Sequence, residues 1–332
     1  MVSGTRWLEE RLLAGLERSW GDDRVTVLAY HRIRDSAGFE FFEPVISATP
    51  GDFARQMDII NERYSAVSLT DFLSWVDGDG SLPPNPVLIT FDDGYRDNLE
   101  AALPVLRERG LPAVLFLATD HIGRSQPFFW DSAAYSFHHS EVYEANLPLL
   151  GPRTWDSPGL MCAEWIEAAK RQPQARTLEA TAQLHDALGT AMPDSVYAGE
   201  VLTWDEVRAM AQQGFEFGSH TLTHPILTAL TPTRARRELG ESRERIQNEL
   251  NTPIRALAYP NGTPADFDPE IETMAKACGY AVAFTLVPGP ARAREVQARP
   301  LAVRRIAIYL PDGDRRYRAK LAGAGRVKSS LS

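Results

Sequence analysis

At 332 residues, with 44% hydrophobic and 24% charged side chains, the chain can bury a large core as one big domain or two ordinary ones. A formal net charge of −9, with no basic aromatic stripe, argues against nucleic acid as a partner. The two cysteines, Cys162 and Cys278, stand far apart in predicted helices, which indicates neither a disulfide framework nor a zinc knuckle.

In chain order, residues 1–23 are read as a helix, because Trp7, Leu8, Leu12, Leu13, Leu16 and Trp20 recur at helical spacing. Acidic residues interrupt that stretch, so it is neither a signal peptide nor a membrane span, and a cytoplasmic location is expected. The helix is expected to pack on the domain; lying on a membrane surface is the alternative. Apolar or β-branched runs then predict strands at Val25 to Tyr30, Ala66 to Leu69, Val87 to Phe91, Ala113 to Ala118, Phe215 to Gly218, Ile254 to Tyr259, Ala281 to Thr285 and Val303 to Leu310.

Helices fall between them. Thr49-Pro50, Thr231-Pro232 and Asp268-Pro269 are cap-then-proline starts, and Thr203 with Glu206 is a capping box. Strands alternating with helical crossovers imply an α/β fold with a parallel sheet, and at this length a closed or nearly closed barrel over residues 24–312. Residues 123–200 show only helical or irregular pattern and are read as an insertion in one loop. It opens with Phe128-Phe129-Trp130-Asp131, an aromatic run that either stacks on a sugar or packs the insertion down. Residues 313–332, rich in Arg, Lys, Gly and Ser, are read as a basic flexible tail, with an acidic partner or lipid as its candidate contact.

Two clusters of metal-ligand side chains stand where predicted strands end: Thr90-Phe91-Asp92-Asp93-Gly94 and Ser219-His220-Thr221-Leu222-Thr223-His224. The C-terminal ends of strands are where a parallel barrel gathers its functional groups, and His31 sits at such an end too. One carboxylate and the imidazoles of His220 and His224, spaced as in one helical turn, supply the three ligands of a catalytic divalent metal. The second aspartate is then available as a base, which points to metal-assisted hydrolysis.

TFDDGY at Thr90 to Tyr95 and H-T-x-x-H at His220 to His224 resemble the first two motifs of the polysaccharide deacetylase family, also called NodB-like or carbohydrate esterase family 4. The resemblance spans roughly Val25 to Leu310. It implies a distorted (β/α) barrel of seven or eight strands, Asp92 as general base, and Asp93, His220 and His224 as ligands of a divalent metal. Zinc is the default, with cobalt or nickel accepted by the same donors. Ala258-Tyr259-Pro260-Asn261-Gly262 is similar to the third motif but carries Ala258 where the family has the arginine that braces the base. Arg305, or its neighbour Arg304, is the candidate substitute, and the backbone N–H of Asn261 is the candidate oxyanion donor.

The family's last motif, Leu-x-x-His, is absent from the C-terminal part. Leu28-Ala29-Tyr30-His31 resembles it at the other end, as in circularly permuted members, which a closed barrel permits because its first and last strands are neighbours. His31, as imidazolium, is then the general acid. Tyr95, Trp130, Asp131, Tyr259 and Pro260 are the candidate substrate contacts, whereas His121, His138, His139 and His185 are read as surface or insertion residues. The implied activity is N-deacetylation of amino sugars in a polysaccharide or glycoconjugate. The alternatives are hydrolysis of a non-sugar amide or formyl group, and a glycan-binding protein without catalysis.

Overall fold

A computed structural model describes residues 23–324 together with Arg11, Leu13 and Gly15. The expected N-terminal helix over 1–23 therefore lies almost entirely outside the described residues, as do residues 325–332. Seven parallel strands form the body: β1 (Arg24–Tyr30), β2 (Pro86–Asp93), β3 (Val114–Leu117), β4 (Glu216–Ser219), β5 (Ala256–Ala258), β6 (Val282–Pro288) and β7 (Val303–Ala307). Each pairs with the next in sequence. The ring closes where β1 lies between β2, in register from Thr26↔Val87 to Tyr30↔Phe91, and β7, through Leu28↔Ile306 and Ala29↔Ala307.

The strand expected at Ala66 to Leu69 is cut short and stays outside the ring. Only Ser65–Ala66 pairs, with Pro86 and Val87, because Ser68 turns the chain into the helix Leu69–Asp77 by accepting a hydrogen bond from Asp71 N. Every residue of β1 and β2 is buried, as befits parallel strands covered on both faces.

Period-two alternation sorts the strand residues. Val25 and Val27, Leu88, Val114 and Phe116, Ala256 and Ala258, Val282 and Phe284, and Val303 make one apolar cluster inside the ring. Phe72 and Trp75 join it from the helix Leu69–Asp77, which plugs the end where the strands start. That helix is tied there by Glu216, which accepts from Leu69 N and Thr70 N, and by Asp77, which pairs with Arg255. The outer faces pack against the surrounding helices in a second cluster. The cap signals mark the helix starts: Thr49 accepts from Asp52 N, Asp268 from Ile271 N, and Thr203 and Glu206 form the capping box, whereas Thr231 precedes its helix without a side-chain cap hydrogen bond.

Residues 123–200 fall between β3 and β4. Helices Phe129–His139, Pro158–Lys170 and Gln174–Leu188 pack on one another, with Trp165, Ile166 and Cys162 buried among them. A hairpin, Glu144–Leu147 with Gly151–Thr154, departs from the purely helical or irregular expectation. Apart from Leu147 its strands are exposed or half-exposed and carry no apolar run to announce them. The flexible tail also needs correction. Asp314–Leu321 is a helix whose Tyr317 and Leu321, four residues apart, are buried, and Tyr30 Oη donates to Tyr317 Oη at 3.2 Å. Among the described residues no helix is long and apolar enough to cross a membrane.

Inside the ring, Gly218 of β4 faces the Phe116 ring of β3. A Cβ built there would lie 2.3 Å from that ring and 3.0 Å from the Ala256 carbonyl oxygen. Gly218→Ala is expected to destabilise the barrel by about 1–3 kcal/mol through overpacking. A lowered denaturation midpoint at unchanged m-value is the signature, and an unchanged midpoint would mean that Phe116 moves aside freely.

Candidate active site

The same alternation that fills the barrel places the site. On β2, Leu88, Thr90 and Asp92 share the inward face, so Asp92 caps the apolar stack; the inward positions next above Val303 and Gly218 bring in Arg305 and His220, and His31 follows two inward steps above Val27. Arg305 is fully buried and forks onto Asp92, with Nη1 donating to Oδ1 at 2.8 Å and Nη2 to Oδ2 at 2.7 Å. Its Nε donates to the Thr285 carbonyl and Nη1 also to Thr90 Oγ1, both at 3.1 Å. Thr90 in turn donates to the Leu28 carbonyl at 2.6 Å. Arg304, on the opposite face of β7, donates to the Pro288 carbonyl, so of the two arginines only Arg305 reaches the position left open by Ala258.

Burial pushes the Asp92 carboxyl up, but Arg305 and the neighbouring His220 overcome it and hold it at about 2. His31 Nε2 lies 4.0 Å from Asp92 Oδ2. Its backbone is pinned: His31 N donates to Ser47 Oγ at 2.8 Å, and Asn98 Nδ2 donates to its carbonyl at 2.7 Å. The general-acid role expected of His31 needs the imidazolium form, which the surroundings disfavour at rest. Burial lowers the imidazole to about 4 against the pull of Asp92, so it is neutral at pH 7.

Asp93 breaks the alternation. With φ 78° it turns out of the strand, and its Oδ1 lies 3.5 Å from both His220 Nε2 and His224 Nε2. The histidines are not on a helical turn. Thr221 and His224 have φ 68° and 58°, so the chain loops back and brings the rings to 4.7 Å between centroids. Left-handed conformations at such residues cost on the order of 1–3 kcal/mol each and persist where surroundings enforce them. Here Glu238, buried on the helix Pro232–Leu250, accepts from Leu222 N at 3.1 Å and Thr223 N at 2.9 Å. Nothing in the sequence marked Glu238 for this role.

Asp93, His220 and His224 suit a cation. Asp93 Oδ1 is buried and has no hydrogen-bond partner, an expensive state for a carboxylate oxygen. The Ala258 carbonyl, 2.7 Å from His220 Nδ1, can only accept, so Nδ1 carries the proton and Nε2 presents its lone pair. Tetrahedral ligands at about 2.1 Å from a metal stand about 3.4 Å apart, close to the spacing found. Burial, reinforced by Asp92, pushes Asp93 well above the usual carboxylate range, and burial pushes His224 well below the usual imidazole range. A bound cation would reverse both pressures.

The remaining candidates divide. Trp130 stands beside the site, its ring 4.8 Å from that of His224 and stacked on Phe128 at 4.5 Å. Asp131 is wholly buried. It accepts from Tyr95 Oη at 3.0 Å, Tyr197 Oη at 2.7 Å and Phe42 N at 3.2 Å, while Trp130 Nε1 donates to Tyr95 Oη at 2.9 Å. Tyr95 and Asp131 therefore brace Trp130 from below instead of lining the cleft. Arg32, unmarked in the sequence, covers the Tyr95 ring at 4.3 Å and pairs with Asp97 and Glu200.

Tyr259 is core: it stacks on Phe267 and donates to the Leu301 carbonyl, and Pro260 beside it is buried. Asn261, at φ 60°, does reach the cleft, with its side chain donating to Asp266 at 2.7 Å. A cavity of about 240 Å³ opens beside His224 and Asn261. His121, expected on the surface or in the insertion, lines it and stacks on Phe128 at 3.9 Å.

The sequence profile of the polysaccharide deacetylase family matches residues 79–283. That span holds Asp92, Asp93, His220, His224 and Asn261; His31 and Arg305 lie outside it. YxkH of Bacillus subtilis strain 168, named for the same family, is 24% identical over 205 residues, covering 62% of this chain and 46% of its own. The chain thus spans about half the length of that relative.

In structure the chain is similar to the Streptococcus pyogenes deacetylase PplD in complex with acetate, at TM-score 0.59 and 18% identity over 90% of this chain and 98% of that one. It is also similar to IcaB from Ammonifex degensii, at TM-score 0.58 and 20% identity over 91% and 98%. At these identities the structural matches speak for the barrel alone. The profile covers more than half of the sequence and includes the Asp-Asp and His-x-x-x-His clusters that converge on one site: the chain belongs to the polysaccharide deacetylase family.

Proposed function

We propose that this protein is a metal-dependent N-deacetylase that hydrolyses the acetamide of N-acetylated amino sugars in a polysaccharide or glycoconjugate and releases acetate. One observation carries the reading: a buried carboxylate oxygen without a partner stands 3.5 Å from two imidazole nitrogens, next to a second carboxylate held ionised. Asp93, His220 and His224 would hold the cation, zinc by default. When bound it supplies Lewis acidity toward the acetamide carbonyl and a more acidic water.

Asp92 accepts the proton of the attacking water. The Arg305 fork occupies one lone pair on each of its oxygens and leaves the other to the cleft. The main-chain N–H of Asn261 is the donor proposed for the developing oxyanion. His31, neutral at rest, delivers to the departing amine a proton gathered during the cycle, with Asp92 at 4.0 Å as its nearest carboxyl source. Closure of the ring through β1 and β7 supports the permuted placement of the last motif, since it puts a residue near the N-terminus across from the base.

His220→Ala, His224→Ala and Asp93→Asn are each expected to lose tight zinc binding together with acetate release, because two ligands do not hold the geometry of three. Asp92→Asn should keep its metal and lose about 10²-fold or more in rate. Metal content and acetate measured on the same samples separate ligand from base, and full occupancy in the first three variants would sink the assignment.

A second test concerns pH. Because Arg305 keeps Asp92 near 2, the wild-type rate should show no acid limb from this carboxylate near neutrality. In Arg305→Met the burial that raises the carboxyl loses its main opponent, so kcat/KM should gain an acid limb, falling as pH drops, that the wild type lacks near neutrality. Parallel profiles in the two proteins would detach Arg305 from the base.

His31→Ala should slow amide cleavage about 10²-fold or more while affecting an activated ester much less, since a good leaving group needs no proton. Equal losses on both substrates would mark His31 as structural.

A further inference from the structure

The loop after β5 is built round one buried carboxylate. Asp266, 6% exposed, accepts on Oδ2 from Asn261 Nδ2 at 2.7 Å, from Thr263 N at 2.7 Å and from Thr263 Oγ1 at 2.5 Å, while its own N–H returns to the Thr263 carbonyl at 2.9 Å. The turn it holds is an unfavourable one. Gly262 N donates to the Pro260 carbonyl at 2.7 Å and so encloses Asn261 alone, at φ 60°: a γ-turn of the positive-φ hand, which is rare and strained.

That turn decides which donor the loop has left over. Tyr259 N is taken up by the Phe284 carbonyl, Gly262 N by Pro260 and Thr263 N by Asp266, and Pro260 has no N–H. The main-chain N–H of Asn261 makes no hydrogen bond among the described residues, and Asn261 lines the cavity beside His224. The chain just beyond it cannot move. A Cβ on Gly262 would lie 2.8 Å from Leu286 N and 3.1 Å from the Tyr259 carbonyl oxygen, and the Gly262 carbonyl accepts from Leu286 N at 2.7 Å, which clamps this residue to β6. What fixes Asn261 itself is its carboxamide on Asp266. A hydrogen bond to a carboxylate is of the same order as the strain of one left-handed residue, so this contact can hold the turn and its loss can release it.

We infer that Asp266 is a positioning residue of the reaction: through the Asn261 carboxamide it fixes the strained turn that leaves the Asn261 N–H free for the developing oxyanion. Within the deacetylase reading, on which this rests, the Asn261 side chain serves its own main chain and not the substrate.

The test compares the zinc-loaded full chain with Asp266→Ala, Asp266→Asn, Asn261→Ala and the double variant Asn261→Ala with Asp266→Ala, by acetate release from N-acetylglucosamine oligomers. In Asp266→Ala kcat should fall about tenfold or more, short of the roughly 10²–10³-fold loss of an oxyanion donor removed outright, with KM and zinc content held, as for an interaction made only in the transition state. Asn261→Ala should lose about as much, and the double variant no more than Asp266→Ala, because all three break the same hydrogen bond. Asp266→Asn, still an acceptor, should keep most of the rate. In metal-free protein, deuterium uptake by a peptide spanning residues 259–266 should quicken in Asp266→Ala and Asn261→Ala and stay near that of the wild type in Asp266→Asn. Losses that multiply in the double variant overturn the positioning role, as does quickened exchange at unchanged kcat, which would leave Asp266 a structural residue only. If Asp266→Ala does not fold, Asn261→Ala decides, since Thr263 keeps its bonds to Asp266 there. Wild-type protein that carries zinc but releases acetate from no oligomer would remove the deacetylase reading and the role with it, while exchange would still report whether Asp266 holds the turn.

Discussion

The site depends on one buried ion pair. A carboxylate and a guanidinium drawn out of water each carry a penalty of several kcal/mol, met only when geometry is good and the remaining donors are used. Arg305 meets that condition with both Asp92 oxygens, Thr90 Oγ1 and the Thr285 carbonyl. The pair joins β2 to β7 across the inside of the barrel, and it can form only because β1 lies between them and closes the ring. Topology and chemistry are therefore one constraint. Truncating either partner would leave an unpaired buried charge, at a cost of about 3–5 kcal/mol, so the pair bears on stability as well as on the proposed base.

Two consecutive aspartates meet opposite electrostatic fates a residue apart. Asp92 faces inward onto a fixed cation and stays ionised; Asp93 leaves the strand at φ 78° and faces two neutral imidazoles, with no donor on its buried oxygen. The strand's period of two creates the difference and the left-handed turn completes it. Gly94 next to it, at φ 96°, has Ile122 and Leu117 so near that a Cβ would lie 2.6 Å from the first, so the turn has little freedom to relax. Groups pushed apart in this way are suited to distinct tasks, one as proton acceptor and one as cation ligand.

Much of this was legible in the sequence for physical reasons. Strands buried on both faces read as continuous apolar runs, cap-proline pairs announce helix starts, and the clusters at Asp92–Asp93 and His220–His224 sit where strands end. The choice between Arg304 and Arg305 stayed open in the sequence, because it turns on which face of the strand points inward, and Val303 inside the barrel puts Arg305 on that face. Other features had no local signal. The order of a side chain's neighbours decides whether an aromatic or acidic residue lines a cleft or lies behind it, and Tyr95 and Asp131 proved to be braces and Tyr259 core. The Asp314–Leu321 helix rests on two apolar residues in a basic segment, too few to register as a period. Glu238 and Arg32 act on loops distant in sequence, a relation that no window reveals.

The insertion is tied to the loop of the proposed cation ligands more closely than an appended element would be. Its first helix starts with Phe129 and Trp130, and Trp130 abuts the His224 ring on one side while donating to Tyr95, two residues beyond Asp93, on the other. Asp131 then gathers Tyr95, Tyr197 from the insertion's far end and the Phe42 amide from the loop after β1. Burial raises this carboxyl while Arg32 and the donated hydrogen bonds pull it back, so the knot holds only with all its donors in place. A carboxylate of this kind couples three segments: if the insertion shifts, Trp130 shifts with it, and His224, a proposed cation ligand, loses the ring packed against it. The insertion's side of the cavity and the geometry of the proposed cation site are thus fixed by the same packing, which accounts for a long loop being ordered where loops of this length are otherwise mobile.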